Sequence, residues 1–341
     1  MQQSTVSIII PCLNEAAFIE GVLHDIVQQD YPSELIDTWL VDGGSTDGTQ
    51  QIIETFAKQH PGFHLLHNPH KYVPQAMNQG IRASEGDLIV RMDAHASYPP
   101  EYVRQLVFWQ QKMQAENVGG LWLTKPRSQS PKAQAIAKVL THPLGVGNSS
   151  FRTGVDQVRE VDTVPFGCYP RAVFDRYGFY HERLERNQDI ELNKRIRRMG
   201  GKIYLIPSIH CTYFARDRFR GLWRNNYQTG RWVLLASYLT KTFDALSLRH
   251  FVPLLFVGYL FTLLLSGLLA VLTTLPNWIF GLYTLPFILY LSAILLASLR
   301  LSTQSNWGLF PYLVYGFLVL HIGYGVGSWQ GFFECFITKR P

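Results

Sequence analysis

Short apolar runs alternate with helical patterns in the first part of the chain. Residues 6 to 11 (VSIIIP) form an apolar run, and a helical pattern from Glu15 to about Gln29 follows it. A second apolar run, TWLV, ends at Asp42. A short apolar run bounded by polar residues is typical of a buried strand, whereas apolar residues three or four apart indicate a helix. The pattern therefore predicts a strand, a helix and a second strand.

The same alternation continues as far as Met92. It predicts an α/β domain whose sheet is mostly parallel and carries helices on both faces. The stretch from Thr124 to Asp162 breaks the pattern and is rich in Ser, Gly, Lys and Gln, so we expect a long irregular connection that could move over a site. The further predicted elements are a helix near 47 to 58, a strand at Phe63–Leu66, a helix near 74 to 84 and a strand at Asp87–Met92.

The last third of the chain is almost continuously apolar. It contains three runs without Asp, Glu, Lys or Arg, at Phe251–Leu275, Ile279–Leu299 and Trp307–Phe333. Each run reaches the roughly 20 residues that a helix needs to cross a bilayer. Tryptophans near the ends, Trp278 and Trp307, fit the interfacial positions that aromatic residues prefer. We therefore predict three transmembrane helices in preference to buried helices of a soluble protein.

The distribution of charge divides the chain at the same place. The sequence has 31 Lys and Arg against 25 Asp and Glu, a net charge of +6, but after residue 250 only Arg300, Glu334, Lys339 and Arg340 are charged. Basic residues are concentrated just before the first apolar run, where they suit anionic lipid headgroups better than nucleic acid. They are Arg216, Arg218, Arg220, Arg224, Arg231, Lys241 and Arg249.

Two features predict the orientation of the chain in a membrane. The N-terminal residues MQQSTVSIIIP lack the basic region and cleavage site of a signal peptide, so we expect the first domain to stay in the cytosol. The link that carries Arg300 is expected on the same side, because positive charge favours the cytosolic face. The link Pro276–Trp278 carries no charge. Three crossings would leave Lys339 and Arg340 outside, which conflicts with that rule.

The cysteines and the membrane histidine indicate neither a metal site nor transport. Cys12, Cys168, Cys211 and Cys335 are far apart and form no CxxC pair, so we expect reduced, structural cysteines. His321 is the only ionisable residue of the third apolar run. A transporter needs more polar groups than this along its pathway.

Polar residues follow three of the predicted strands. In an open α/β sheet the ligand binds outside the carboxyl ends of the strands, which here are Pro11–Glu15, Asp42–Thr49 and Asp93–His95. The glycines of DGGSTDGT allow a ligand to approach the backbone closely, although the segment could also be only a turn with a helix cap. No GxGxxG follows the first strand, so a dinucleotide-binding domain of the dehydrogenase type is disfavoured.

The third strand end, LIVRMDAHA, places Asp93 and His95 on the same side of an extended chain. Both side chains could reach one divalent cation. Such a cation would bridge a diphosphate and offset the charge that grows on it as it leaves. The alternative is that the two residues only cap the helix that follows Pro99.

Another carboxylate stands in the segment ERNQDIELNKRIRRMGGKI. The spacing of Leu192, Ile196 and Met199 predicts a helix that ends at Gly200 and Gly201 and whose first turn contains Asp189. The helix dipole and nearby Arg186 would keep this carboxylate ionised, so that it could accept a proton from an attacking hydroxyl. An ordinary helix-start aspartate is the alternative.

A last motif precedes the apolar runs. Gln228, Arg231 and Trp232 lie in NNYQTGRWVLLASYL, which predicts an amphipathic helix at the membrane surface. Taken alone, this helix could be an interfacial anchor with a snorkelling arginine.

Five motifs occur together and in order between residue 5 and about residue 235: PCLNE, VDGGSTDGT, DAH, ERNQDIELN and QTGRW. Together they make the chain similar to processive or lipid-linked family 2 glycosyltransferases, and most of all to the membrane-bound succinoglycan type of bacterial exopolysaccharide assembly. The resemblance implies a GT-A fold, which is an α/β, Rossmann-like domain, over residues 1–215. A basic interfacial segment over 216–250 and three transmembrane helices within 251–341 would follow.

The resemblance also implies roles for single residues. The nucleotide would be bordered by Pro11, Leu13, Glu15, Asp42 and Asp93. Asp93 and His95 would hold the metal and diphosphate, and Asp189 would be the catalytic base. The diphosphate and the acceptor would be contacted by Gln228, Arg231 and Trp232. Many relatives carry acidic residues where this chain has Gly43, His95 and Gln188, which bears on base recognition and metal preference.

The implied reaction is the inverting transfer of a sugar from a nucleotide-diphosphate donor, expected to be a UDP-hexose, with Mn²⁺ or Mg²⁺ as cofactor. The expected acceptor is a lipid-linked saccharide at the cytosolic face of a bacterial inner membrane. One alternative is a polyprenyl-phosphate sugar synthase, whose acceptor is the lipid phosphate itself. Another is a non-catalytic membrane subunit that binds sugar nucleotides.

Overall fold

The computed structural model describes residues 3–242, 248–272 and 277–337. The chain forms two compact units. The first consists of Met1–Thr124 and Ser150–Phe214, and the second of Lys125–Ser149 and Ala215–Pro341. The segment Lys125–Ser149 therefore belongs with the C-terminal unit, although the expected domain of residues 1–215 included it.

The elements up to residue 91 alternate as the apolar pattern predicts. They are β1 (Val6–Cys12), α1 (Ile19–Val27), β2 (Ile36–Asp42), α2 (Thr49–Gln59), β3 (Phe63–His67), α3 (Val73–Ala83) and β4 (Leu88–Arg91). The chain continues through β5 (Ala96–Ser97), α4 (Tyr102–Met113), β6 (Asn117–Pro126), α5 (Pro131–Val139), α6 (Pro143–Val146) and α7 (Ser150–Thr153). The remaining elements before the apolar third are β7 (Arg159–Glu160), β8 (Cys168–Pro170), α8 (Ala172–Tyr177), α9 (Gln188–Arg198) and β9 (Ile203–Ala215).

The strands within the described residues form one sheet of nine, in the order β3-β2-β1-β4-β8-β6-β9-β5, with β7 also paired to β9. The four strands from β3 to β4 are parallel, as predicted. Beyond β4 the paired strands are antiparallel. The sheet is therefore mixed, and the prediction of a mostly parallel sheet holds only for its first half. Antiparallel pairs need no helical crossover, so the rule that joins parallel strands through helices applies only as far as β4.

Apolar side chains of β1 are buried on both faces of the sheet. Ile8 and Ile10 pack with Leu23 of α1, whereas Ile9 packs on the opposite side with Met77 of α3. All five are 0% exposed. A strand covered by helices on both faces needs no polar positions, and this explains why VSIII is an uninterrupted apolar run.

The segment predicted to be a long irregular connection is largely ordered, and that prediction was wrong. Ser130 caps α5 by accepting a hydrogen bond of 3.3 Å from the backbone nitrogen of Ala133, and Pro131 occupies the first turn. Ile136 and Val139 are buried in an apolar cluster of the second unit. The polar residues of this helix lie on its outer side, so composition alone suggested a loop.

The apolar third of the chain is helical. It contains α10 (Phe219–Thr240), α11 (Leu248–Leu272), α12 (Asn277–Thr303) and α13 (Phe310–Phe332), and a π-helical turn at Phe333–Ile337 continues α13. Three stretches are long and apolar enough to cross a membrane, at His250–Leu268, Gly281–Thr303 and Trp307–Ile337. Arg300 lies in the last turn of α12 and not in a connection, because the helix continues to Thr303.

Some of the sequence predictions fall outside the described residues. These are the part of the interfacial segment at 243–247, the end of the first apolar run at 273–275, Pro276 of the uncharged link, and the basic residues Lys339 and Arg340. The arginines Arg216, Arg218, Arg220 and Arg224 are described and are exposed.

Helix α10 packs along α13 within the second unit. A β-carbon built at Gly327 or Gly331 of α13 would collide with the carbonyl oxygens of Tyr227 and Arg231 of α10, so only glycine permits this approach. Small residues serve the same purpose between membrane helices in general. Trp232–Ser237 is consequently buried, and α10 is more than the surface-lying amphipathic helix that its sequence suggests.

Candidate active site

The loops that follow β1 and β2 are joined by hydrogen bonds. The backbone nitrogen of Asn14 donates to Ser45 Oγ at 2.8 Å, and that of Thr46 donates to Asn14 Oδ1 at 2.9 Å. The backbone nitrogen of Glu15 donates to Thr49 Oγ1 at 2.8 Å. PCLNE and VDGGSTDGT, which are separate in sequence, therefore form a single structure at the carboxyl edge of the sheet.

Asp42 holds the second of these loops in place. It is 1% exposed, and its carboxylate accepts hydrogen bonds from the backbone nitrogens of Gly44 and Ser45 at 2.8 and 2.9 Å and from the side chain of Gln50. Burial alone would raise the pKa of Asp42, but the hydrogen bonds from Ser45, Gln50 and Gly44 lower it below its ordinary value. The carboxylate is thus held ionised by its own loop. A direct contact with a nucleotide stays a prediction.

The sequence has Gly43 directly after Asp42. A β-carbon at this position would lie 3.1 Å from the carbonyl oxygen of Lys71. This separation is tight for a β-carbon next to a backbone atom, so the backbone at Lys71 would have to give way. The close approach of the two segments accounts for the glycine.

A pocket of about 180 Å³ opens beside the joined loops. Five predicted residues line it, namely Pro11, Leu13, Glu15, Asp93 and His95. Further lining residues that the motifs did not identify include Asn68, Lys71, Tyr72 and Arg91. The fold therefore brings together the residues that the resemblance assigns to the nucleotide and to the metal, except Asp42, which does not line this pocket.

Asp93 and His95 follow β4 as predicted. The backbone nitrogen of Asp93 donates to the hydroxyl of Tyr98 at 2.6 Å, and Nδ1 of His95 lies 3.1 Å from Oε1 of Glu15. Ala96 pairs with Tyr213 of β9, whose ring centroid is 6.4 Å from that of His95. Both residues line the pocket, and neither stands at the N-cap of α4, which makes no side-chain hydrogen bond.

The donor atoms present fit one kind of metal site. Within the described residues no group of three or more His, Cys, Asp and Glu side chains is placed to hold a metal ion. A catalytic Mg²⁺ is usually held by one or two carboxylates and completed by water and substrate phosphates. Asp93, with His95 beside it, matches that pattern and would rely on the diphosphate for the remaining ligands.

Asp189 lies in the first turn of α9, as predicted, and its Oδ1 accepts a hydrogen bond of 2.9 Å from the backbone nitrogen of Ile190. The helix is anchored by Asn193, which is 0% exposed and hydrogen bonded to Asn117 and Thr163 at 2.9 Å each. A rigid helix start thus fixes the backbone of the candidate base.

Arg91 contacts both Asp189 and Asp93. Its Nη1 lies 3.7 Å from Oδ2 of Asp189, and its Nη2 lies 3.4 Å from Oδ1 of Asp93. Burial alone would lower the pKa of Arg91, but Asp93 and Asp189 together raise it above its ordinary value. The guanidinium of Arg91 therefore connects Asp93, which is predicted to hold the metal, with Asp189, the candidate base.

Gln228, Arg231 and Trp232 lie on α10 in the second unit. Arg231 makes a bidentate ion pair with Glu334, in which Nη2 and Nε lie 2.8 and 2.9 Å from Oε2. Its guanidinium carbon is 5.8 Å from the centre of the Trp232 ring. The roles of these residues toward diphosphate and acceptor stay predictions.

Arg91 is the functional candidate that the motif analysis missed. A signal for it exists, since an arginine inside the apolar strand LIVRM needs buried carboxylate partners. Lys71 and Tyr72 have no comparable signal, because they stand in a polar stretch between elements. The four cysteines are free and buried, in agreement with the prediction of structural cysteines.

Known proteins share both the sequence pattern and the fold. A model of glycosyl transferase family 2 matches residues 7–183. The succinoglycan biosynthesis protein ExoA of Rhizobium meliloti is 28% identical over 95% of this chain and 93% of its own length. A dolichyl N-acetyl-alpha-D-glucosaminyl phosphate 3-beta-D-2,3-diacetamido-2,3-dideoxy-beta-D-glucuronosyltransferase of Methanococcus voltae is 25% identical over 94% of this chain and 95% of its own length.

Among solved structures, a mannosyltransferase of Pyrobaculum calidifontis in complex with GDP-Man and Mn²⁺ superposes with a TM-score of 0.60 at 19% identity, covering 98% of this chain and 88% of that one. The likeness shows a common fold, which is the GT-A fold. The family match spans more than half of the sequence and includes both joined loops and the Asp93 strand end. The chain therefore belongs to glycosyl transferase family 2 and is a glycosyltransferase.

Proposed function

We propose that the protein is an inverting glycosyltransferase that moves a sugar from a nucleoside diphosphate, expected to be UDP, to a lipid-linked saccharide at the cytosolic face of a membrane. The observation that carries the proposal is the placement of Asp189. Through Arg91 it is connected to Asp93, which lines the pocket together with Pro11, Leu13 and Glu15. A base beside a sugar-donor pocket is what direct displacement at an anomeric carbon requires.

In this mechanism the pocket binds the nucleotide, and Asp189 removes the proton of the acceptor hydroxyl. The hydroxyl oxygen bonds to the anomeric carbon while the bond to the diphosphate breaks on the opposite face, so an α-linked sugar becomes β-linked. Asp93, with His95, would hold the divalent cation, whose chemistry is to offset the charge of the departing diphosphate. Arg91 keeps positive charge between the two carboxylates throughout.

The proposed acceptor follows from the second unit. Three helices of this unit can cross a bilayer, and exposed arginines precede the first of them. A catalytic domain that is anchored in this way works beside lipid headgroups, where a lipid-linked acceptor is presented. A relative in exopolysaccharide biosynthesis and another whose name contains a dolichyl-linked sugar phosphate support the same class of acceptor.

A screen of labelled nucleotide sugars tests the proposal. Purified protein in lipid nanodiscs is incubated with each donor, with Mn²⁺ or Mg²⁺, and with a lipid extract as acceptor. We expect label from one donor to enter the lipid phase and the new linkage to be β. Nucleotide binding without release of sugar from any donor would favour a non-catalytic binding subunit and contradict the proposal.

A polyprenyl-phosphate sugar synthase gives a different outcome. A phosphate acceptor is already an anion at neutral pH and needs no base to deprotonate it. If mild acid releases the label from the lipid as a monosaccharide, and if Asp189→Asn retains its rate, the acceptor is the lipid phosphate. A saccharide acceptor predicts that mild acid releases the label within a longer saccharide, whose new β-linkage stays intact, and that the rate depends strongly on Asp189.

A further inference from the structure

A buried arginine stands between the two carboxylates of the proposed reaction. Arg91 is the last residue of β4, two positions before Asp93, and only 9% of it is exposed. Its Nη2 and Nη1 face Asp93 Oδ1 at 3.4 Å and Asp189 Oδ2 at 3.7 Å. Asp93 lies just beyond β4, and Asp189 lies in the first turn of α9. The side chain of Arg91 therefore contacts two segments that are distant in sequence.

The guanidinium is not fully paired with either carboxylate. Within the part of the chain that the structure describes, its Nε and Nη1 have no hydrogen-bond partner. Buried polar groups without partners are rare, and they require a reason. The bidentate pairs that arginine usually forms with carboxylates have two bonds shorter than about 3 Å, and Arg91 forms neither such pair.

The neighbours of Arg91 leave the two aspartates as its negative partners. The Phe166 ring lies on one side, with its centre 5.9 Å from the guanidinium carbon. Two buried tyrosines, Tyr169 and Tyr180, are also close enough to interact with its charge. Burial raises the pKa of Tyr180 to about 12, so its hydroxyl is neutral at neutral pH. Asp93 and Asp189 therefore supply the charge that keeps a cation in this interior.

We propose that Arg91 is a positioning residue for two carboxylates at once. These are Asp93, which would hold the metal, and Asp189, the proposed catalytic base. Arg91 holds Asp93 and Asp189 at the separation that the reaction needs, and its charge at Asp93 opposes that of an arriving divalent cation. This inference rests on the proposed function, because it concerns the base and the metal side of that reaction. It assigns no contact between Arg91 and the sugar donor.

Two opposite effects follow from the removal of Arg91. Without its charge, Asp93 attracts a divalent cation more strongly, so Mn²⁺ with a nucleoside diphosphate should bind about tenfold more tightly. Without the guanidinium of Arg91, the carboxylate of Asp189 loses its orientation, and misplacement by about 1 Å can cost about 10²-fold in rate. Tighter binding together with slower transfer is not the result of a merely damaged fold.

The experiment compares three variants of the full-length protein in nanodiscs. Arg91→Gln removes the charge. Arg91→Lys keeps the charge but replaces the planar guanidinium, whose nitrogens face both carboxylates, by a single ammonium group that reaches one carboxylate. Arg104→Gln is the matched control, because Arg104 makes an exposed ion pair of 2.8 Å with Asp30 on the same unit. Calorimetry gives the affinities for Mn²⁺ with UDP and with GDP, and initial rates give kcat and KM.

We expect Arg91→Gln to lose about 10²-fold in kcat and to bind the metal and nucleotide more tightly. Arg91→Lys should have an intermediate kcat and a nearly unchanged affinity, and Arg104→Gln should match the wild type in both. If Arg91→Gln does not fold, as its melting profile would show, Arg91→Lys alone decides, since a wild-type kcat in that variant contradicts the need for the guanidinium.

Other outcomes overturn the inference. Weaker binding of the nucleotide in Arg91→Gln under both Mn²⁺ and Mg²⁺ would place Arg91 on the diphosphate instead. Wild-type kcat in Arg91→Gln would show that the base needs no such support. If the wild type itself transfers no sugar from any donor, the proposed function fails first, and the assignment of Arg91 fails with it.

Discussion

The two units use an arginine and its carboxylates in opposite ways. In the second unit, Arg231 forms a close ion pair with Glu334, with Nη2 and Nε at 2.8 and 2.9 Å from Oε2 of the carboxylate. In the first unit, Arg91 lies 3.4 and 3.7 Å from two different aspartates and completes a pair with neither. The first arrangement joins one helix to the turn that ends another. In our proposal, the second keeps Asp93 and Asp189 together while leaving one able to bind metal and the other able to accept a proton.

The units also differ in where their apolar side chains lie. The apolar residues of β1 are 0% exposed, because helices cover both faces of the sheet. Along α11, by contrast, Val252, Leu255 and Leu264 are 63, 67 and 74% exposed. An exposed apolar surface of this extent is typical of a region that another apolar medium covers. The same kind of residue thus builds an interior in one unit and an exposed apolar surface in the other.

The largest expected effect concerns the membrane topology of the second unit. A reporter fused after Gln304 should lie in the cytosol, and one inserted near Asn277 should lie on the opposite side, because α12 separates the two positions. A reporter at the N-terminus is the reference for the cytosolic side. Protease protection or alkaline phosphatase activity measures each. If both internal reporters lie on one side, α12 does not cross the membrane.

In the first unit, Asp189→Asn should reduce transfer by about 10² to 10⁴-fold, because the amide cannot accept the proton of the hydroxyl. Binding of the nucleotide should stay nearly intact, since Asp189 does not line the pocket. The matched change Asp175→Asn, on the exposed face of α8, should leave the rate unchanged. Transfer within a few-fold of wild type would remove Asp189 from the role of base.

Glu334→Gln tests the ion pair between Glu334 and Arg231. The change removes an ion pair whose side chains are 29 and 15% exposed, and we expect the stability of the second unit to fall by about 1 to 3 kcal/mol. Asp30→Asn breaks an exposed pair in the first unit and should cost less than about 1 kcal/mol. Thermal unfolding in detergent measures both. Equal unfolding midpoints in Glu334→Gln and Asp30→Asn would contradict the expectation that the pair of Arg231 contributes more to stability than an exposed pair.

The smallest effect is expected at His95. An imidazole suits Mn²⁺ better than Mg²⁺, which prefers oxygen ligands, so direct ligation predicts that wild type favours Mn²⁺. The contact of Nδ1 with Glu15 at 3.1 Å resembles the carboxylate that orients a metal-binding histidine. His95→Asp should then shift the preference toward Mg²⁺ by several-fold.

Rates against metal concentration measure this preference, with His24→Asp on the exposed side of α1 as the control. An unchanged ratio of Mn²⁺ to Mg²⁺ activity in His95→Asp would exclude direct ligation. Weaker binding of the sugar donor under either metal would instead mean that His95 contacts the diphosphate or supports Asp93.

Much of the site could be predicted because its residues stand in short motifs at the ends of strands. Pro11, Leu13, Glu15, Asp93 and His95 all line one pocket, as the rule for open α/β sheets leads one to expect. Asp42 could be located but its surroundings could not, since its hydrogen bonds to Gly44, Ser45 and Gln50 depend on how the loop folds back on itself. The contact of Asp189 with Arg91 joins residues almost a hundred positions apart, so no local motif predicts it.

The sequence by itself determined the features that depend on local composition and periodicity. The uncharged runs after residue 250 are long enough for a helix to cross the apolar core of a bilayer, and VSIII, a short apolar run, predicts a buried strand. The tertiary structure alone decided the antiparallel second half of the sheet, the helix at Pro131–Val139 and the position of Arg91. These depend on which distant segments pack together, and that choice is made by long-range burial and charge pairing, which no local pattern encodes.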